Sequence, residues 1–214
     1  MASGLIQTKI KQNKMYSQSN EESVILDYFK DFTGTFLSIG ENDGVTFSNV
    51  RALAERNWKG VMVEPSPKAY EKLKALYNGH KGFYIYPYAI SSHNGKAMLQ
   101  ESGPLCSASD VGLVSTFHSQ EKQRFEKSVR YDPVEVTTFR WKTFLNRLRI
   151  KEFDMISLDV EGSELDILPE MDLSKTSLIV IEWNGKENLK TEYEKYLEGF
   201  KLIYTSPENL IYAR

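Results

Sequence analysis

Between Thr35 and Glu182, short runs rich in β-branched and aromatic residues alternate with stretches whose apolar residues fall at helical spacing. Thr35 to Ile39 reads as a strand that stops at Gly40 and turns through Glu41-Asn42-Asp43-Gly44. A helix over 46–57 then carries Val50, Leu53 and Ala54 inward, and Gly60 to Val63 is a second buried strand ending at Glu64-Pro65. Ahead of this unit, Val24, Ile25, Tyr28 and Phe29 predict a helix within 19–32, behind the cap-like Ser19-Asn20-Glu21-Glu22. Beyond it the pattern predicts helix 67–77, strand 82–90, a further strand at 96–100, helix 140–149, strand 153–159, helix 162–169, strand 177–183 and helix 188–198. The chain closes with strands 200–205 and 209–213, joined at Ser206-Pro207-Glu208-Asn209 as an antiparallel hairpin. Such alternation folds as an α/β protein, a mostly parallel sheet with helices on both faces.

Composition narrows the function classes. With 27 Lys plus Arg against 29 Asp plus Glu, the formal net charge is −2, so no global basic field favours nucleic acid. The single cysteine, Cys106, cannot form an internal disulfide or a zinc cluster by itself. No apolar run is long enough for a membrane span and no secretion signal precedes the first helix, so the expected location is cytoplasmic. Residues 1–18 read as a tail whose Met1-Ala2-Ser3 could be an expression scar, and 19–214 as one domain. An irregular insert at 101–132 interrupts that domain, rich in Ser, Gly and charge, and inserts of this length are usually functional or mobile surface loops.

In open parallel sheets, ligands sit beyond the carboxyl ends of the strands. Here those ends carry Glu41, Asn42 and Asp43, then Glu64, then Asp159 and Glu161, then Glu182 and Asn184. Acidic and amide groups in a Gly40–Gly44 turn make a poor pyrophosphate cradle, and neither G-x-G-x-x-G nor a P-loop lysine is present. They suit a cationic ligand instead. Glu64 is placed to accept hydrogen bonds from two ribose hydroxyls, so an adenosine bearing a sulfonium and an α-amino group would satisfy both ends.

These segments resemble the FkbM-type S-adenosylmethionine-dependent methyltransferases. Phe36-Leu37-Ser38-Ile39-Gly40-Glu41-Asn42-Asp43-Gly44 is similar to the family's glycine motif, with Glu41 where alanine is usual. Val63-Glu64-Pro65-Ser66-Pro67 resembles its second-strand segment, and Tyr88-Ala89-Ile90-Ser91 the segment beside the adenine. Ser157-Leu158-Asp159-Val160-Glu161-Gly162-Ser163-Glu164 resembles its most distinctive signature. The resemblance implies a Rossmann-like class I methyltransferase with a seven-stranded sheet and S-adenosylmethionine as cofactor. It places the methionine end against Gly40, Glu41, Asn42, Asp43 and Gly44, with Phe47 and Ser48 close by, and the ribose on Glu64 beside Pro65 and Ser66. Ala89 and Ile90 would flank the adenine, and Asp159 and Val160 would face the reacting methyl.

Methyl transfer to a hydroxyl is helped by a base that takes the proton. Asp159 is the expected base, with Glu182 and His118 as alternates; Asp159 could instead hold the cofactor's ammonium or cap the next helix. Asp159, Glu182 and Asn184 also suit Mg²⁺ or Mn²⁺. Ser, Thr, Gln and aromatic residues of the insert suit a carbohydrate, and the resemblance implies a sugar hydroxyl in a glycan or glycoconjugate as acceptor. A small alcohol, phenol or amine is the rival acceptor, and a non-catalytic nucleoside-binding module the rival class. The chain could also be joined to glycosyltransferase domains in a longer protein.

Overall fold

The computed structural model describes residues 15–103, 115–117, 123 and 129–214. Seven strands form one sheet: β1 (Thr35–Ile39), β2 (Lys59–Val63), β3 (Phe83–Tyr86), β7 (Met155–Leu158), β8 (Leu178–Glu182), β9 (Lys201–Thr205) and β10 (Asn209–Ala213). Their order is β3-β2-β1-β7-β8-β10-β9. β1 pairs in parallel with β2 and β7, in the registers Ile39↔Val63 and Ile39↔Leu158, whereas β10 runs antiparallel to both β8 and β9. The chain leaves β1 toward β2 and β3 on one side and returns through β7 and β8 on the other. The strand order therefore reverses at the carboxyl end of β1, where a crevice opens.

The central strands are apolar on both faces because both are covered. Leu37, Ile39, Val61, Val63, Ile156, Leu158, Ile179 and Ile181 join one core with Phe144 and Leu148. The alternate residues Phe36, Met62, Met155, Leu178 and Val180 join a second core with Ile25, Phe29, Leu53 and Leu73. The covering helices are α1 (Glu21–Phe29), α2 (Arg51–Ala54), α3 (Pro67–Leu76), α4 (Trp141–Leu145), α5 (Glu164–Ile167) and α6 (Glu187–Glu194). No helix among the described residues is long and apolar enough to cross a membrane.

Three expectations needed correction. The helix predicted over 46–57 shrinks to α2, because the Asp43 carboxylate accepts hydrogen bonds from the Val45 and Thr46 amides and Phe47 takes a left-handed φ of 58°. The strand predicted over 82–90 breaks at Pro87, which has no amide hydrogen to donate. β3 stays in the main sheet, while β4 (Ala89–Ile90) joins β5 (Gly95–Ser102) and β6 (Tyr131–Phe139) in a three-stranded sheet of order β4-β6-β5. The insert expected to be irregular over 101–132 begins and ends as sheet. β5 and β6 pair antiparallel from Gly95↔Thr138 to Ser102↔Tyr131. His118 and most of the insert's polar residues lie outside the described residues.

Candidate active site

A cavity of about 260 Å³ lies where β1, β2, β7 and β8 end. Its floor requires glycine at position 40. There φ is +83°, and a Cβ would lie 1.6 Å from the Asp159 carbonyl oxygen, because the ends of β1 and β7 close on each other. The Gly40 amide donates to the Val63 carbonyl and the Asp159 amide to the Ile39 carbonyl, which locks the three strand ends together.

The buried Glu41, Glu64 and Glu182 and the half-buried Asp159 surround this point. Glu41 accepts hydrogen bonds from the Ser38 and Ser48 hydroxyls, each at 2.6 Å, and burial pushes its carboxyl up to about 7. Glu64 accepts from the backbone amides of Asn42 and Ser66, each at 2.8 Å, which fixes its orientation. Burial raises it to about 8 against the pull of those two amides, with Asp159 and Glu41 adding like charge. Asp159 is raised by burial and by the facing Glu164 and Glu41. Glu182 is raised by burial and by Asp159, Glu161 and Glu164. Carboxylates displaced upward together in one crevice are characteristic of functional sites.

Most of the residues singled out from the sequence meet here: Gly40, Glu41, Asn42, Phe47, Ser48, Glu64, Pro65, Ala89, Ile90, Asp159, Val160 and Glu182 all line the cavity. Asp43, Gly44 and Ser66 do not, and each has a local task instead. The Asp43 carboxylate holds the turn, accepting from the Val45 and Thr46 amides and the Thr46 hydroxyl. A Cβ on Gly44 would press on Leu73, Leu76 and Tyr77 of the α3 region. Ser66 caps α3 and donates to the Glu101 carboxylate. His118 lies outside the described residues.

The structure adds wall residues that the sequence reading passed over. Ser38 and Ser157 face each other in register across β1 and β7, and Asn49 donates to the Ser157 hydroxyl. A serine inside each of two otherwise apolar strands was the available signal. Gln18 and Glu208 carried none, since they reach the wall from the N-terminal segment and the β9–β10 turn. That turn is tied down by Glu21, whose buried carboxylate accepts from the Ser206 hydroxyl and the Asn209 amide group. The Glu208 carbonyl in turn receives the Trp183 and Asn184 amides.

Neither polar atom of the buried Asn42 side chain, nor the Asn49 carbonyl oxygen, has a partner among the described residues, and both residues line the cavity. Among the described residues no lysine, arginine or histidine lines it. Asp159, Glu161 and Glu182 can bring one carboxylate oxygen each to within 4.8 Å of one another, the set among the described residues able to share a cation.

A seven-stranded sheet of this order with its last strands antiparallel, a glycine turn after the first strand and a carboxylate after the second define a Rossmann-like class I methyltransferase fold. The chain belongs to the family described as the methyltransferase FkbM domain, whose profile matches residues 38–202. The fold implies use of S-adenosylmethionine. A curated relative, 2-O-methyltransferase NoeI of Sinorhizobium fredii, is 27% identical over 157 residues, which cover 71% of this chain and 63% of that protein. The chain thus spans less than two thirds of that relative's length. Among solved structures, methyltransferase FkbM from Methylobacillus flagellatus KT superposes with a TM-score of 0.53 at 11% identity, over 85% of this chain and 44% of that one. Monomeric WbdD does so at 0.50 and 11% identity, over 92% and 41%. At such identities the two structures speak to the fold alone.

Proposed function

We propose that this protein is an S-adenosylmethionine-dependent O-methyltransferase acting on a sugar hydroxyl of a glycan or glycoconjugate. The observation that carries the cofactor is the cavity at the reversal of strand order, walled by carboxylates and by the unpartnered amide of Asn42, with no basic side chain among its described residues. That wall fits a cationic nucleoside, so the residues present suit the cofactor that the fold implies. When bound, S-adenosylmethionine supplies an electrophilic methyl group on a sulfonium centre. Glu64 would hold the ribose hydroxyls, Gly40, Glu41 and Asn42 the methionine end, and Ala89 and Ile90 the adenine.

Asp159 serves as the base in this reading. Its raised pKa makes it a better proton acceptor than an ordinary carboxylate once ionised, and it takes the acceptor's hydroxyl proton as the oxygen is alkylated. Glu182 is the neighbouring group through which that proton can pass outward. An oxygen acceptor is supported by the relative named as a 2-O-methyltransferase. The polar mouth with Gln18, Asn184 and Glu208 supports a polyhydroxyl one. A divalent cation held by Asp159, Glu161 and Glu182 is a subsidiary proposal that rests on their spacing.

Isothermal titration with S-adenosylmethionine and S-adenosylhomocysteine tests the reading, on wild type and Glu64→Ala, with a parallel run in EDTA. Micromolar binding that Glu64→Ala weakens about tenfold or more supports the pocket. Folded wild-type protein that binds neither compound overturns the cofactor, and binding and turnover unaffected by EDTA remove the cation.

A further inference from the structure

Phe47 is exposed at 41%, whereas Ile39, Ile90 and Leu99 of the same wall are buried and Tyr88, Phe117 and Val160 are half-buried. Its backbone is in the left-handed region at φ 58°, a conformation that is an outlier for a bulky residue. The strain is imposed from both sides. Ahead of Phe47, the Asp43 carboxylate fixes the Val45 amide, the Thr46 amide and the Thr46 hydroxyl at 2.9, 2.7 and 2.9 Å. Behind it, the buried Ser48 hydroxyl donates to Glu41 at 2.6 Å and accepts from the Val50 and Arg51 amides at 3.3 and 3.0 Å. Glycine would relieve the strain, and a polar residue would spare the exposed apolar surface. Strained residues held by a surrounding hydrogen-bond frame mark places where geometry serves function.

We propose that Phe47 is the acceptor platform of the enzyme, on which the apolar face of an uncharged pyranose ring rests while its hydroxyl rim turns toward the polar wall. The proposal rests on the methyltransferase reading of the same cavity, and it assigns to the acceptor a side chain whose motif position suggested the cofactor. The chemistry follows from the two surfaces. A pyranose has a face of C–H groups bounded by hydroxyls, and an aromatic ring with its electron-rich face open attracts those C–H groups while shedding water. Asn49, whose buried carbonyl oxygen has no partner among the described residues, lies on the same wall with Gln18 and Asn184, so hydrogen-bonding groups share the cavity with the ring.

The test uses radiolabelled methyl transfer from S-adenosylmethionine to the p-nitrophenyl glycosides of fucose, rhamnose, glucose, galactose and mannose. It is run on wild type, Phe47→Gly, Phe47→Leu and Phe47→Trp, with cofactor affinity and thermal melting measured on each. Wild type is expected to methylate at least one glycoside. Phe47→Gly and Phe47→Leu should raise the KM for that acceptor about tenfold while the cofactor Kd stays within about twofold. Phe47→Trp should keep KM near wild type, and Phe47→Gly should melt no lower than wild type because it releases the strain. A KM unmoved in Phe47→Gly overturns the platform, as does a weakened cofactor Kd with unchanged KM, or a melting temperature lowered by the glycine. Wild type that binds cofactor yet methylates none of the five glycosides also overturns it. Wild type that binds no cofactor fails the methyltransferase reading itself, which the titration reads separately, and takes the platform with it.

Discussion

Replacing Gly40 by alanine should unfold the strand-end junction more severely than any conformational argument about glycine alone would allow. Two costs act together. The first is the left-handed backbone, φ +83°, which costs an L-residue about 1 to 2 kcal/mol. The second is steric: the new Cβ would lie 1.6 Å from the Asp159 carbonyl oxygen, where ordinary contact begins at 3.4 Å. Relief requires β1 and β7 to part by about 2 Å. That movement breaks the Asp159 amide's hydrogen bond to Ile39 and disturbs the Gly40 amide's bond to Val63. Overpacking of this kind typically adds about 1 to 3 kcal/mol, so the sum is about 2 to 5 kcal/mol. For a chain of this size that lowers the melting temperature by about 4 to 20 °C. Gly79 supplies the control. Its φ is +78°, but a Cβ there meets nothing within 4 Å, so Gly79→Ala carries the backbone cost alone, about 1 to 2 kcal/mol. Urea denaturation of the two variants isolates the steric contribution. Equal destabilisation of Gly40→Ala and Gly79→Ala would refute the close approach of β1 to β7, and with it the reason the cavity floor is shaped as described.

Asp159→Asn is expected to lower kcat by about 10² to 10⁴ with the cofactor Kd little changed, measured once an acceptor is in hand; a kcat near wild type would move the base elsewhere. Stability should depend on pH in the direction set by the buried acids. Glu41 and Glu64 ordinarily titrate near 4.5 and are raised by burial to about 7 and about 8, so the native state holds protons that the unfolded chain has released. Their contribution is fully present below about 4.5 and is lost as pH rises through 7 and 8, so the urea midpoint of the cofactor-free protein should fall between pH 5 and 8.5. Glu64→Gln should flatten that fall, and a midpoint independent of pH in both proteins would show that these carboxyls are not buried as described.

The alternation of apolar runs with helical spacing was enough to determine the α/β class, the parallel core strands and the terminal hairpin, because strands covered on both faces must be apolar throughout. It was also enough to bring the acidic strand ends to one crevice, since a parallel sheet places all its carboxyl ends on the same side. Short-range physics could not settle where elements stop. The helix expected from residue 46 depended on whether Asp43 would capture the Val45 and Thr46 amides, and the strand over 82–90 on whether Ala89 and Ile90 would find a partner in β6. A strand over 96–100 was legible, but its partner β6 was not, because β6 is half exposed over most of its length and lacks the signature of a core strand. Glu208 and Gln18 were beyond the reach of sequence altogether. They meet on the cavity wall because Glu21, close to Gln18 in sequence, binds Ser206 and Asn209, which flank Glu208 nearly the whole chain away. Sequence periodicity decides which residues face a core and which strand ends face a ligand, because those follow from local geometry. Long-range hydrogen bonds and the near-contact of Gly40 with Asp159 decide which acids are buried and oriented, because desolvation and direction exist only once distant segments have packed.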